Sequence, residues 1–367
     1  VRRLGRLAVA GGFALLFAAG VVAFNVGSDA LPASALNRPV PADAIPLAVL
    51  GDSNSHSYQD SLAFKPGSEG RGGAFRARTF NWIEIIARLR GKELDPGPWG
   101  VWGHSGVIAS AREALGASGD RAPRKEDYRY NFANSGAGCA NLMAGRFQQA
   151  PRLLALMDTE ADRWKRGVVV IRMGLNDWAG QLDVIAQDPA APGVRDVTAR
   201  CTRAIRETVA LIHATHPETK VLVVGIVNEA DDPGYVDRFG TARESANIDK
   251  ALNDFNGSLR ALAESSNNTA YFDDAAWVVA RWGRRDAEGR PDYKTVAIGT
   301  TLQVANTAGD DPRNALVADH HAGLVWNALW AQSLVARLNN AFGLPLTPIS
   351  DQQVADFVLP LAQQPPR

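Results

Sequence analysis

The sequence predicts an α/β protein built on a central parallel sheet with helices on both faces. Apolar stretches of strand length alternate with helical patterns from residue 45 to residue 342, and this alternation is the mark of βαβ units. Two of the stretches, Val168-Val169-Val170-Ile171 and Val221-Leu222-Val223-Val224, are unbroken and largely β-branched, as strands buried on both faces require. The composition is that of a folded globular chain, with 46% hydrophobic and 21% charged residues in 367, which excludes wholesale disorder and a polytopic membrane protein.

In chain order, a strand is predicted over 45–50 and a helix over 80–89, with Trp82, Ile85, Ile86 and Leu89 on one face. A strand over 128–133, a helix over 147–157 and a strand over 167–172 follow. Next come a helix over 197–215, a strand over 220–227, a helix over 245–265, a short strand over 270–272 and a last helix over 323–342. Three stretches, 54–79, 91–126 and 274–317, exceed ordinary loop lengths and read as insertions with a function of their own or without fixed structure. The first is rich in Gly and Arg (Gly67, Gly70, Arg71, Gly72, Gly73, Arg76, Arg78), and the second carries Trp99, Trp102 and His104. Residues 27–44 have the Pro, Ala and small polar content of a linker. The folded domain is expected over 45–345, with a C-terminal tail over 346–367.

Arg2, Arg3 and Arg6 precede an uncharged apolar stretch over 7–24. Residues 1–26 therefore read as a signal peptide or a membrane anchor. The stretch is longer than the usual signal core of about 7 to 15 residues and shorter than the roughly 20 that span a bilayer. A small-residue site, Ala33-Ser34-Ala35, lies downstream, and cleavage and retention both stay open. In either case the positive flank remains cytoplasmic, and the domain is secreted, periplasmic or held at the outer face of the inner membrane. In such an oxidising space Cys139 and Cys201 can pair or stay as buried thiols.

Lys plus Arg and Asp plus Glu both number 39, so no bulk attraction to nucleic acid is expected. Two cysteines cannot build a Cys-type zinc site. Gly136-Ala137-Gly138 lacks the third glycine of a dinucleotide fingerprint, and no Walker sequence occurs. No metal or other cofactor is expected.

The chemistry sits at predicted strand ends. The first strand runs into Gly51-Asp52-Ser53-Asn54, the strand over 128–133 into Asn134-Ser135-Gly136-Ala137-Gly138, and the strand ending at Arg172 into Met173-Gly174-Leu175-Asn176-Asp177. Asp319-His320-His321 precedes the last helix. Carboxyl ends of parallel strands form the edge at which open α/β sheets bind ligands. Acyl transfer needs a hydroxyl nucleophile, an imidazole base, a carboxylate to orient it and donors for the oxyanion. Ser53, His321, Asp319, and the Gly136 amide with the Asn176 side chain are of those types.

Taken in order, these blocks resemble the SGNH, or GDSL-type, serine hydrolase family. Gly51-Asp52-Ser53 matches its first block, Asn131-Phe132-Ala133-Asn134-Ser135-Gly136 its second, and Gly174-Leu175-Asn176-Asp177 its third, while Asn81-Trp82 resembles the start of its first helix. The resemblance covers roughly 45–342 and implies a flavodoxin-like three-layer α/β/α sandwich with long loop insertions. It implies Ser53 as nucleophile, His321 as base, and an oxyanion hole from the Ser53 and Gly136 amides and the Asn176 side chain. The fourth block departs from the pattern. The family has Asp-x-x-His, but position 318 is Ala and the nearest acid, Asp319, stands two residues before His321. Asp319 can reach the imidazole only through an unusually tight turn, and Asp310, Asp311 or a backbone carbonyl are the alternatives.

The function expected is an exported serine esterase removing O-acyl groups, O-acetyl first, from a carbohydrate. Trp99, Trp102, Trp178 and Trp282 are expected near this edge, where aromatic faces could stack on sugar rings or pack the insertions. Asn54, His56, Asp177 and His320 are candidate substrate contacts, although His56 also reads as a surface turn residue. An acyltransferase, a lipid or aryl esterase and a non-catalytic glycan-binding envelope module are the alternatives, and oligomeric state is undetermined.

Overall fold

The structure, a computed structural model, describes residues 40–65, 67–116 and 121–365. The export segment expected over 1–26 and most of the linker lie outside the described residues. Among the described residues, five parallel strands form the central sheet: β1 Ile45–Gly51, β2 Leu94–Asp95, β3 Val168–Arg172, β4 Lys220–Val224 and β5 Thr269–Phe272. Their spatial order is β2-β1-β3-β4-β5, the doubly wound flavodoxin-like order with its switch point between β1 and β3. Leu47 pairs with Val168 and Gly51 with Arg172, so the loops leaving β1 and β3 emerge side by side.

Strand periodicity divides the core in two. Leu47, Val49, Val168, Val170, Leu222 and Val224 face one layer, and Ala48, Leu50, Val169, Ile171, Val221 and Val223 face the other, as alternating side chains must. The first layer is made by α1 Trp82–Leu89, and by two helices near the C-terminus, Leu324–Phe342 and Asp351–Ala362. The second is made by α2 Gln149–Asp158, α3 Pro192–Thr215 and α4 Ala242–Glu264. The two C-terminal helices are α5 and α6. Each fully buried aliphatic side chain contributes about 1.5 to 3 kcal/mol, which makes these strands the rigid floor of the loops above them.

Several elements differ from expectation. The segment expected as one strand over 128–133 is two pieces. Lys125–Tyr128 pairs antiparallel with Trp99–Trp102, and the chain then runs along the β1 edge, with the Val49 amide donating to the Tyr130 carbonyl and the Phe132 amide to that of Val49. The break has a cause: the Arg121 guanidinium takes the carbonyls of Tyr128, Arg129 and Asn131. The insertion over 274–317 is structured, with the short strands Thr295–Ile298, Leu302–Ala308 and Asn314–Leu316 in one sheet. Most of the expected tail is α6, which starts in a Ser350/Gln353 capping box and buries Val354, Ala355 and Val358. Cys139 and Cys201 are joined in a disulfide that ties the loop after Gly138 to α3. No helix among the described residues is long and apolar enough to cross a membrane.

Candidate active site

β1 ends in a turn held from every side. The Gly51 amide donates to Gln149 Oε1 and its carbonyl accepts from Gln149 Nε2, both at 2.8 Å. A Cβ at Gly51 would stand 2.7 Å from the Arg172 carbonyl oxygen, so only glycine lets β1 and β3 close up here. Asp52 is buried, and burial pushes its carboxyl up; its Oδ1 accepts the Asn54 amide at 2.9 Å. The Asn54 carbonyl in turn receives Asn81 Nδ2 at 3.0 Å and Trp82 Nε1 at 3.1 Å. The N-terminus of α1, capped by Asn81, thus fixes the turn that carries Ser53, which is 8% exposed.

The loop expected to hold the oxyanion lies along the same edge. The Asn134 amide donates to the Gly51 carbonyl at 3.1 Å, and Gly136 is exposed with φ 75°, a left-handed conformation that suits glycine. Asn176, also exposed, donates one Nδ2 hydrogen to the Ala137 carbonyl at 2.9 Å, which leaves the second for a ligand. Asp177 Oδ2 accepts the Cys139 amide at 2.7 Å, and a Cβ on Gly138 would lie 2.8 Å from that oxygen. Asp177 therefore braces the loop from behind. Cys139, Cys201 and Asp177 lie close together, but the two sulfurs are bonded to each other and offer no thiolate.

The tight turn required of Asp319-His320-His321 is present. The Val317 amide donates to the His321 carbonyl at 2.8 Å, the His320 amide donates to the Val317 carbonyl at 2.9 Å, and His320 adopts φ 63°. Asp319 Oδ1 and the Asp319 carbonyl oxygen each lie 3.0 Å from His321 Nδ1. These contacts fall on Nδ1 and leave Nε2 for a proton from a nucleophile. Burial works against ionisation of Asp319, but the His321 hydrogen bond and the Arg71 charge outweigh it and hold its carboxyl well below the usual range. Asp310 and Asp311 are engaged elsewhere, with the Ala318 amide at 2.9 Å and Arg313 at 2.6 Å.

His56 is not a surface residue. It is 1% exposed, with Nε2 2.8 Å from Asp60 Oδ2 and Nδ1 accepting the Ser135 amide at 3.1 Å. Burial, then the charge of Lys125, push its imidazole down against the pull of Asp60, so the ring stays neutral and anchors the residue before Gly136. The tryptophans are also placed differently from a sugar platform. Trp99, Trp178 and Trp282 are 3%, 1% and 0% exposed and pack the interior: Trp99 and Trp282 anchor their insertions to one core layer, and Trp178 packs against Phe255 of α4 in the other. Trp102 is half-buried and stacks with Arg129 at 4.5 Å.

His320 turns away from His321 and meets Asp232 at 2.8 Å. It lines a cleft with Asn54, Arg172, Leu175, Glu229 and Trp326. Sequence reading missed Glu229, Arg71 and the His56–Asp60–Ser135 cluster. Their partners are distant in sequence, and only the separation of four between His56 and Asp60 hinted at contact.

A strand-end hydroxyl, an imidazole–carboxylate pair and amide donors on one edge of a doubly wound sheet are the equipment of serine-dependent ester hydrolysis. The family model for GDSL-like lipase/acylhydrolase matches residues 47–289, and the chain belongs to that family and is an ester hydrolase. Among solved structures, the chain is similar to a lipase from the goat rumen metagenome at 13% identity and TM-score 0.40, over 80% of this chain and 97% of that one. An extracellular lipase from Streptomyces rimosus matches at 14% identity and TM-score 0.38, over 70% and 90%. A catalytic mutant of an acetylxylan esterase from Geobacillus stearothermophilus matches at 14% identity and TM-score 0.31, over 63% and 77%. A comparison with curated protein sequences gives no match.

Proposed function

We propose that the chain is an exported serine esterase that removes small O-acyl groups, O-acetyl above all, from a carbohydrate through an acyl-enzyme on Ser53. The observation that carries the mechanism is the 3.0 Å approach of Asp319 Oδ1 to His321 Nδ1 at the edge where β1 delivers Ser53. Ser53 Oγ attacks the acyl carbonyl and its proton passes to His321 Nε2. The oxyanion takes hydrogen bonds from the Ser53 and Gly136 amides and the second Nδ2 hydrogen of Asn176. Collapse expels the alcohol, which leaves with the proton from His321, and water then frees the acyl group by the same steps.

The carbohydrate reading is supported by the cleft beside Ser53. Asn54, Arg172, Asn228, Glu229, Asp232 and His320 line it beside the apolar Leu175, Val278, Leu316 and Trp326, and the polar groups give a hydroxylated alcohol hydrogen-bond partners there. Export is supported by the basic and apolar N-terminal pattern and by the joined cysteines, since disulfides persist in oxidising compartments.

Incubation with p-nitrophenyl acetate followed by intact mass tests the mechanism. A transient acetyl adduct lost in Ser53→Ala is expected. A folded wild type with neither adduct nor turnover would indicate a binding module instead. Acetate release from an acetylated polysaccharide, compared with fatty acid release from a long-chain glyceride, tests the substrate class, and transfer to an added sugar hydroxyl would mark an acyltransferase.

A further inference from the structure

Arg71 sits in the Gly-rich insertion between β1 and α1 and is 5% exposed. Its guanidinium reaches both halves of the site. Nη1 forms a short ion pair with Asp319 Oδ2 and lies 2.8 Å from His321 Nδ1, while Nη2 donates to Ser135 Oγ at 3.2 Å. Its backbone amide donates to the same Asp319 Oδ2 at 3.1 Å. One carboxylate oxygen is thus gripped twice by one residue.

The local backbone is shaped for that grip. Arg71 has φ 56°, an unfavourable conformation for a residue with a side chain, which persists where the surroundings over-determine it. It directs the amide and the guanidinium toward the same oxygen. Gly70 lies beside the same oxygen, and a Cβ there would make an ordinary contact with it at 3.6 Å. Phe64 and Tyr58 flank the guanidinium carbon at 4.6 Å and 5.5 Å from their ring centres and confine it. A buried cation needs such a paired anion, so the arrangement commits Arg71 to Asp319.

Nδ1 of His321 therefore faces both acceptors, Asp319 Oδ1 and the Asp319 carbonyl oxygen, and a rival donor, Arg71 Nη1. Asp319 Oδ1 requires a proton on Nδ1 and leaves Nε2 bare, as a base must be. Arg71 Nη1 has no lone pair, so a bond from it to Nδ1 would require that nitrogen bare and move the proton to Nε2. Both bonds would be charge-assisted, but Nη1 is already engaged by Oδ2, and an Nδ1–H finds two acceptors, Asp319 Oδ1 and the Asp319 carbonyl oxygen, each at 3.0 Å.

We propose that Arg71 is the positioning residue of this site. It clamps Oδ2 so that Oδ1 faces Nδ1, and so holds His321 in the tautomer with Nε2 free. The clamp replaces the restraint that an acid only two residues before its base cannot obtain from its own turn. The inference rests on the reading of Asp319 and His321 as acid and base.

Two measurements on the full chain test it. Nitrogen NMR of His321 should show the Nδ1–H form of the neutral ring in wild type and a mixture of both forms in Arg71→Met, with Arg71→Lys between them. In p-nitrophenyl acetate hydrolysis, Arg71→Met should lower kcat by roughly 10- to 100-fold with little change in KM, and should have almost no further effect in an Asp319→Asn background. An unchanged tautomer, a gain of Nδ1–H in Arg71→Met, or additive losses in the double variant would overturn the clamp. If Arg71→Met does not fold, Arg71→Lys carries both tests. Failure of wild type to hydrolyse the ester would count against the esterase mechanism alone, since the tautomer measurement needs no turnover.

Discussion

Asp319 Oδ1 and His321 Nδ1 lie 3.0 Å apart across a single intervening residue. The left-handed backbone of His320 turns the chain sharply enough for a carboxylate to reach an imidazole only two positions away. The same turn sends the His320 side chain to Asp232, so the two neighbouring histidines serve different places.

Asp319→Asn should lower kcat by about 10⁴-fold through loss of tautomer and orientation. Asp310→Asn and Asp311→Asn should cost far less, since neither carboxylate bonds the imidazole. Steady-state kinetics on a short-chain aryl ester make the comparison, and a mild Asp319→Asn would remove that residue from the triad.

His321→Ala should abolish turnover. His320→Asn should keep most of it, because Asn tolerates φ 63° well, whereas His320→Val should impair both activity and stability by straining the turn. Melting temperatures measured beside the rates separate strain from chemistry.

Asn176→Ala should reduce kcat by roughly 10² to 10³-fold if its free Nδ2 hydrogen meets the oxyanion. A change confined to KM would instead make Asn176 a residue that holds the ground-state substrate.

Much of the layout was legible before any coordinates. The unbroken runs around Val170 and Val223 announced central strands because burial on both faces leaves no room for polar alternation. The blocks around Ser53, Gly136 and Asn176 stood out because each carries its own local turn chemistry. What stayed hidden depends on distant partners. Arg71 looks like any arginine in a Gly-rich loop until Asp319 arrives. His56 looked like a surface turn residue because Ser135, which encloses it together with Asp60, lies 79 residues away. The β2 strand is two residues long, too short for any periodicity, and α6 was overlooked because Pro360 and the polar residues beyond it resemble a fraying end.

The Glu229 carboxyl is pushed up to about 7 by burial and by the nearby charges of Asp52 and Asp232, against an ordinary value of 4.5. The folded chain therefore keeps a proton that the unfolded chain releases earlier. Stability from this group is full at pH below about 4.5, declines as pH rises toward 7 and stays low above it. Between pH 5 and pH 8 wild type should lose up to about 3 kcal/mol more than Glu229→Gln. Urea denaturation at the two pH values checks this; equal slopes for both proteins would mean the carboxyl is not perturbed.

The Cys139–Cys201 bridge should stabilise the fold by about 4 kcal/mol on the chain-entropy account of a loop this long. Urea midpoints with and without reductant measure it. Thiol titration of the denatured, unreduced protein should find no free thiol; two would show the bridge absent.

The contact between Arg71 and Asp319 joins positions 248 residues apart. Ser53 lies in the turn after the first strand of the domain and His321 in the turn before α5, so under the proposed mechanism a nascent chain holds its nucleophile long before it holds a base. Any truncated or half-synthesised product ending before His321 should then be chemically silent, however well its sheet has formed. Appearance of esterase activity during refolding should accordingly lag behind tryptophan burial and behind circular dichroism, making catalysis a clock for the last docking event. Ribosome-stalled chains of increasing length would register that moment as a single step.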